Sequence, residues 1–238
     1  IANIGACLSL TDHVITTNSY IADRIKDFAD LPVSVVPNFM NNEQIEASNT
    51  VWESRIPRDT AGLRLGYFSG SHSHAKDFAV AEKGVVDFLK GSPLSTLTVL
   101  GHLQLTPALS EVEGQVRKRP FMNFIELQFA TADVDVALSP LQSSPFTFSK
   151  SELKFFESAA VGTLTLASPT PVFRGAFEHG VSGFLSSASQ WSQRLFEIEG
   201  LSVETRTDIV SAARTVALTR YTGAAQVTVL EQLFDARK

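Results

Sequence analysis

The chain has 238 residues, 44% of them hydrophobic and 19% charged, the profile of an ordinary globular protein with enough apolar material for a sizeable core. Its 20 basic and 25 acidic residues give a net charge of -5 without any lysine- or arginine-rich run, which argues against nucleic acid as a partner. One cysteine, Cys7, excludes an internal disulfide and a thiolate metal cluster and fits a reducing, cytoplasmic compartment, and no apolar run approaches the ~20 residues that span a bilayer.

The opening IANIGACLSL carries neither a basic leader nor a small-residue cleavage site. It begins without methionine on what reads as helix, so the chain is expected to be part of a longer protein. HVITTN then reads as a strand, YIADRIKDFA as a helix and VSVVPN as a second strand. The polar stretch NFMNNEQIEASNTVWESR has no period and is expected as a linker. Residues 1–50 are accordingly assigned to the end of a preceding domain and a hinge, and residues 51–238 to a domain of their own.

From Leu63 onward, short runs of branched apolar residues alternate with stretches of helical period, the pattern of a parallel sheet covered on both faces. LRLGYFS, STLTVLG, FMNFI, VDVALSPL and TLTLAS are the expected strands, with GFLSS as a weaker sixth. Between the first two, Phe78, Ala81, Val85 and Leu89 fall on one helical face, and Gly91 and Pro93 end that helix. ALSEVEGQVRKR is expected as a polar helical crossover and ELQFATAD as a short helix. The tail from Val203 reads as two helices divided near Tyr221, Thr222 and Gly223. The fold class is α/β, a doubly wound Rossmann-like parallel sheet with helices on both faces.

The stretch SKSELKFFESAAVGTLTLAS, residues 149–168, concentrates the charges of interest. Ser149 and Glu152 have the spacing of a capping box, which places a helix from about Lys150, with Gly162 as its left-handed stop. Leu153, Phe156 and Ala160 then share a buried face, and Lys150, Lys154 and Glu157 form a separate polar stripe. Lysines in the first turns oppose the helix dipole. A helix N-terminus just past the carboxyl end of a buried parallel strand is, however, where an open α/β sheet usually places phosphate. A diphosphate bridging the free N–H groups and Lys154 turns that repulsion into attraction, and Glu157, one turn deeper, can accept both hydroxyls of a ribose. The alternative on spacing alone is an exposed Lys154–Glu157 ion pair of a few tenths of a kcal/mol with Lys150 solvated.

KSELKFFESAAVGTLTLAS is similar to the K-x-x-E-(F/Y)-x-A-x-G-x-P-x-(I/L)-A-S signature of the carboxyl-terminal domain of GT-B glycosyltransferases, especially retaining bacterial enzymes of family 4. DHVITTNSYIADRIKDFADLPVSVVPN, LRLGYFSGSHSHAKDF, TLTVLG, ADVDVALSPL and FEHGVSGFL resemble further pieces of that family in the family's order, covering most of the chain. The resemblance implies the nucleotide-sugar half of a two-domain enzyme with a remnant of the acceptor half at its front. The reaction implied is transfer of a sugar from a nucleoside diphosphate sugar to a glycan or lipid-linked acceptor, with retention, in bacterial surface polysaccharide synthesis. It further implies a cytoplasmic protein, peripheral to the inner face of the membrane through the missing part, and no metal or other cofactor.

Carried over by position, Glu157 holds the ribose hydroxyls and Lys154 the diphosphate. Ser69, Gly70 and Ser71 approach phosphate or sugar, Lys76 is the basic residue after that loop, and Gly101 and His102 lie near the base. Two departures stand out. Ser149 occupies the place of the first glutamate in the family's pair, the one the resemblance assigns to the transferred sugar. Ser69-Gly70 replaces a common Gly-Arg, leaving Lys76 and Lys150 for the phosphates. His74 is a hydrogen-bond donor to phosphate or sugar, or simply an exposed loop residue. His72 and His74, with Asp77 the only nearby further ligand in sequence, fall short of a zinc site. Trp52 and Trp191 read as packing anchors, and Phe146 and Phe148 as loop packing or donor-pocket walls. A chain lacking the acceptor domain is expected to bind nucleotide and transfer sugar poorly or not at all. Two rivals of other classes are a sugar-nucleotide 2-epimerase and a non-catalytic binding domain.

Overall fold

The computed structural model describes residues 2–59, 61–70, 74–104 and 106–235. The chain opens with α1 (Ala2–Leu8), β1 (Val14–Thr16), α2 (Ser19–Phe28) and β2 (Val33–Val35), β1 and β2 forming a two-stranded parallel sheet. Next comes α3 (Asn42–Glu53), in the stretch expected to be an aperiodic linker. The signal was present in NNEQ: Asn41 and Gln44 make a reciprocal capping box, and Val51 and Ser48 are buried as the helix packs toward the main domain. A helix with polar residues on all but a narrow stripe hides its period, which is why it read as linker.

The main sheet follows: β3 (Arg64–Ser69), α4 (His74–Gly91), β4 (Thr96–Gly101), α5 (Pro107–Ser110), β5 (Val116–Arg119), α6 (Phe124–Ala132), β6 (Val136–Ser139), α7 (Pro145–Phe148), α8 (Leu153–Ala160), β7 (Leu164–Ala167), α9 (Pro171–Ala176), β8 (Phe184–Leu185) and α10 (Trp191–Glu199). The tail forms α11 (Val203–Arg220) and α12 (Gly223–Asp235), split where expected. All six strands are parallel in the order β5-β4-β3-β6-β7-β8, the doubly wound arrangement.

Two strand assignments change. FMNFI is not a strand, because Asn123 caps α6 through the backbone N–H groups of Ile125 and Glu126, and Glu126 returns the bond to Asn123. The third strand of the sheet's first half is instead VRKR, inside the stretch expected as helix. It is an outer strand, and its charged, largely exposed side chains suit an edge that must not pair further. Hydrophobic patterning could not find it.

Helix α4 buries Phe78, Ala81, Val85 and Leu89 against the sheet, as its period predicts, together with Trp191, Leu195 and Ile198 of α10. A second apolar cluster joins Phe155, Phe156 and Ala160 of α8 to α9, α11 and Met40. The chain returns toward its start there: the Met40 N–H donates to the Tyr221 carbonyl at 2.9 Å.

Candidate functional site

Strand order reverses between β3 and β6, so the crevice outside their carboxyl ends is the switch point of the sheet, the usual ligand position in this architecture. Three segments meet in it. Lys150 Nζ lies 2.7 Å from Asp77 Oδ2, and Asp77 Oδ1 accepts from the backbone and side chain of Gln142 at 3.3 and 3.4 Å. This ties the first turn of α4 to the loop after β6 and the segment before α8. Burial pushes the Asp77 carboxyl up, but Lys150 and the Gln142 N–H together hold it below its usual value, so it stays ionised. Asn18, buried at the start of α2, backs this contact from the amino-terminal unit. Its Oδ1 caps α2, and its Nδ2 donates to the Lys150 carbonyl at 3.1 Å. Neither Asp77 as a strap nor Asn18 as a clamp was assigned from the sequence, since both depend on contacts across 65 or more residues.

The helix that carries Lys154 and Glu157 begins later than its sequence implied. Ser149 and Glu152 form no capping box: Ser149 closes α7, its Oγ donating to the Pro145 carbonyl at 2.9 Å, and Glu152 is a buried N-cap residue without a side-chain cap bond. The short α7, capped by Ser144, takes up Ser149 as its closing residue, so α8 starts only at Leu153. An uncapped start leaves the N–H groups of Leu153 and Lys154 to solvent or a ligand, while the Phe155 N–H donates to the Glu152 carbonyl at 2.8 Å. The shift also turns the helix. Leu153 is exposed (41%), while Phe155, Phe156, Ala159 and Ala160 are buried. Gly162 has φ +76° as expected of a left-handed stop.

Lys154 and Glu157 are both half-buried, and neither side chain has a hydrogen bond or ion pair among the described residues. The alternative of an exposed, paired surface couple is therefore not what the structure holds. Lys154 Nζ sits over the buried Tyr67 ring, 5.1 Å from its centroid. Burial, with repulsion from Lys150, brings its ammonium down to about 8, against the opposing pull of Asp77 and Glu157. Burial brings the Glu157 carboxyl up to about 7, with Lys154 acting the other way. A cation and an anion are thus held part-desolvated, one turn apart, without being neutralised by contact.

The other expected residues divide. Ser69 is buried at the end of β3, its Oγ donating to the His102 carbonyl at 3.0 Å, and Gly70 beside it is exposed. Gly101 and His102 line a cavity of about 590 Å³ with Phe78 and Glu82 of α4. Gly101 has φ +87°, and a Cβ there would lie 2.1 Å from the Ser69 carbonyl oxygen, so the ends of β3 and β4 abut. The exposed His102 ring stacks on Phe121 at 6.3 Å. Lys76 is exposed on the first turn of α4. Ser71, His72 and the side chain of His74 lie outside the described residues. Asp77, weighed as a metal ligand beside them, is committed to Lys150 and Gln142. Phe148 lines a second cavity of about 500 Å³ beyond β6 and β7, whereas Phe146 is exposed against Lys150.

No protein-family model and no curated protein matches the chain. Solved structures do. TarM of S. aureus, in a complex with UDP, aligns with TM-score 0.68 at 12% identity over 95% of this chain and 44% of that one. The pneumococcal O-GlcNAc transferase GtfA, with UDP and GlcNAc, aligns with TM-score 0.64 at 12% identity over 97% and 46%. HepE of Anabaena, with UDP and glucose, aligns with TM-score 0.68 at 16% identity over 95% and 62%. The chain spans 44 to 62% of the length of these proteins. At such identities the likeness is one of architecture, and the chain has the α/β fold of GT-B glycosyltransferases.

Proposed function

We infer that this chain is the donor half of a GT-B glycosyltransferase that binds a nucleoside diphosphate sugar at the switch point. The observation that carries the reading is the half-buried Lys154 and Glu157, whose side chains have no ion-pair partner among the described residues, on an uncapped helix start at the carboxyl end of β6. Unneutralised charges in a part-desolvated crevice are costly unless a ligand completes them. A diphosphate on Lys154 and the α8 N–H groups, with the ribose hydroxyls on Glu157, does so. The solved neighbours with UDP bound support the same reading by fold. In it Lys154 and the helix start carry the charge of the departing diphosphate without a metal, and Gly101 and His102 border the base. Lys150, already paired with Asp77, orients the loop rather than meeting the phosphates as a free cation.

The finer reading follows the family 4 resemblance: transfer of a hexosyl or related sugar with retention to a glycan or lipid-linked acceptor, in the synthesis of surface polysaccharide. It places the protein in the cytoplasm, at the inner face of the membrane. No described helix is long and apolar enough to cross a membrane. The acceptor would be held largely by the rest of a longer protein, of which residues 1–50 form the end and hinge. Ser149, in place of a glutamate, favours a second reading as a nucleotide-binding domain without turnover.

Calorimetric titration with UDP, GDP and dTDP, on wild type and Glu157→Ala, tests the proposal. One nucleotide should bind, and the variant should lose on the order of 1.5 to 3 kcal/mol, the scale of hydrogen bonds to a charged group. Absence of binding by all three would refute it.

A further inference from the structure

At the opposite, amino-terminal end of the sheet, arginines converge on a small cavity of about 30 Å³. Arg55, Arg58 and Arg206 line it, with Asp135 the only carboxylate among its lining residues. Asp135 is already saturated. It is held by Arg58 Nη1 at 2.7 Å, by Arg64 Nη2 at 2.9 Å and by the Arg64 backbone N–H at 2.8 Å. Arg55 is half-buried between the Trp52 ring, 5.8 Å away, and the backbone at Gly162, and has no ion pair among the described residues. Burial lowers its guanidinium below the ordinary value, and Arg64 adds to that against the pull of Asp135. Among the described residues the Arg206 side chain donates only a 3.5 Å bond, to the Arg58 carbonyl. Glu199, in the neighbouring cavity that Arg206 also borders, is bound by Ser92 and Ser95. The first turns of the 18-residue α11 complete the wall through Val203, Arg206 and Thr207. Glu204 and Asp208 on the same turns do not line the cavity.

We propose that this cavity is a second anion site, separate from the donor crevice, which takes one tetrahedral oxyanion group, a phosphate or a phosphoryl end, between Arg55, Arg58 and Arg206. Arg55 and Arg206, two forked guanidiniums with no carboxylate partner among the described residues, line the same cavity, and a forked guanidinium matches phosphate oxygens better than chloride. The volume excludes a nucleotide. The site joins the segment before β3, the start of β6 and α11, so occupancy stiffens the entry from the amino-terminal unit into the sheet.

The test is titration of the full chain with inorganic phosphate and with glycerol phosphate at constant ionic strength balanced by chloride, reading Trp52 fluorescence and Tm. Trp52 lies beside Arg55, whereas the other tryptophan, Trp191, is fully buried. Phosphate should give a saturable change, with Tm rising about 3 to 6 °C at ten times Kd. A response to glycerol phosphate of equal size marks the phosphoryl end of a larger ligand, and a much weaker one marks the free ion. The response should survive Lys154→Met and be lost in Arg55→Gln. Arg206→Lys, which keeps charge and fold, should weaken it at least fivefold. An equal response to chloride, persistence in Arg55→Gln, or loss in Lys154→Met would overturn the proposal, the last by placing the ion in the donor crevice.

Discussion

Nucleotide affinity should follow the charge of Lys154 closely enough to read its titration from binding alone. In the empty protein the ammonium titrates at about 8 and the Glu157 carboxyl at about 7. A diphosphate needs Lys154 charged, and bound phosphate raises its pKa further, so the limb of affinity against pH is set by the free protein. One unit above that value, at pH 9, about nine-tenths of the empty protein has a neutral Lys154, and the apparent Kd for UDP should be about tenfold higher than its best value. Below pH 7 Glu157 protonates and keeps a weaker grip on the ribose, costing about 1 kcal/mol, although the second ionisation of the nucleotide near pH 6 shares that limb. Affinity should therefore peak between pH 7 and 8. Calorimetry in buffers of differing ionisation enthalpy should show proton uptake on binding between pH 8 and 9. Lys154→Arg, charged at every accessible pH, should abolish the alkaline limb, and Lys154→Met should bind weakly. A flat profile from pH 7.5 to 9.5, or an alkaline limb that persists in Lys154→Arg, would refute the reasoning.

Glu157→Gln should stabilise the empty protein while weakening nucleotide binding. The folded carboxyl sits at about 7 against 4.5 unfolded, so the stability it contributes is complete below pH 4.5 and lost as pH rises to 7. Thermal unfolding should find the variant's gain at pH 8 and no gain at pH 4. Asp77→Asn removes the partner of a largely buried Lys150; unfolding in urea should show a loss of about 2 kcal/mol or more, and Asn18→Ala a smaller loss at the same segment. Gly101→Ala forces a Cβ onto the Ser69 carbonyl at a left-handed φ and should cost about 2 to 4 kcal/mol, with His102 displaced.

The buried parts of the fold were legible because parallel strands such as LTLA and VALS are apolar throughout and flanked by turn residues. The face of α4 and the left-handed Gly162 followed from spacing alone. Edge strand β5 and helix α3 were not legible as such: the first is charged because it is an edge, and the second buries only a narrow stripe. Lys154 and Glu157 were identified as a pair on one helix. Their partial burial and lack of partners could not be, since those depend on Tyr67, Asp77 and the late start of α8. The S-x-x-E spacing at Ser149 misled because Ser144-Pro145 nucleates a competing short helix just before it. Asp77 carried no local signal beyond its place after a run of serines and histidines in the sequence.

The most direct test is the structure of this chain with the nucleoside diphosphate that calorimetry selects. The diphosphate should lie against the start of α8 within hydrogen-bond reach of Lys154, with both ribose hydroxyls on Glu157. A nucleotide seated elsewhere, or one in the crevice with Glu157 turned to bulk water, would contradict the proposal that this chain binds a sugar nucleotide.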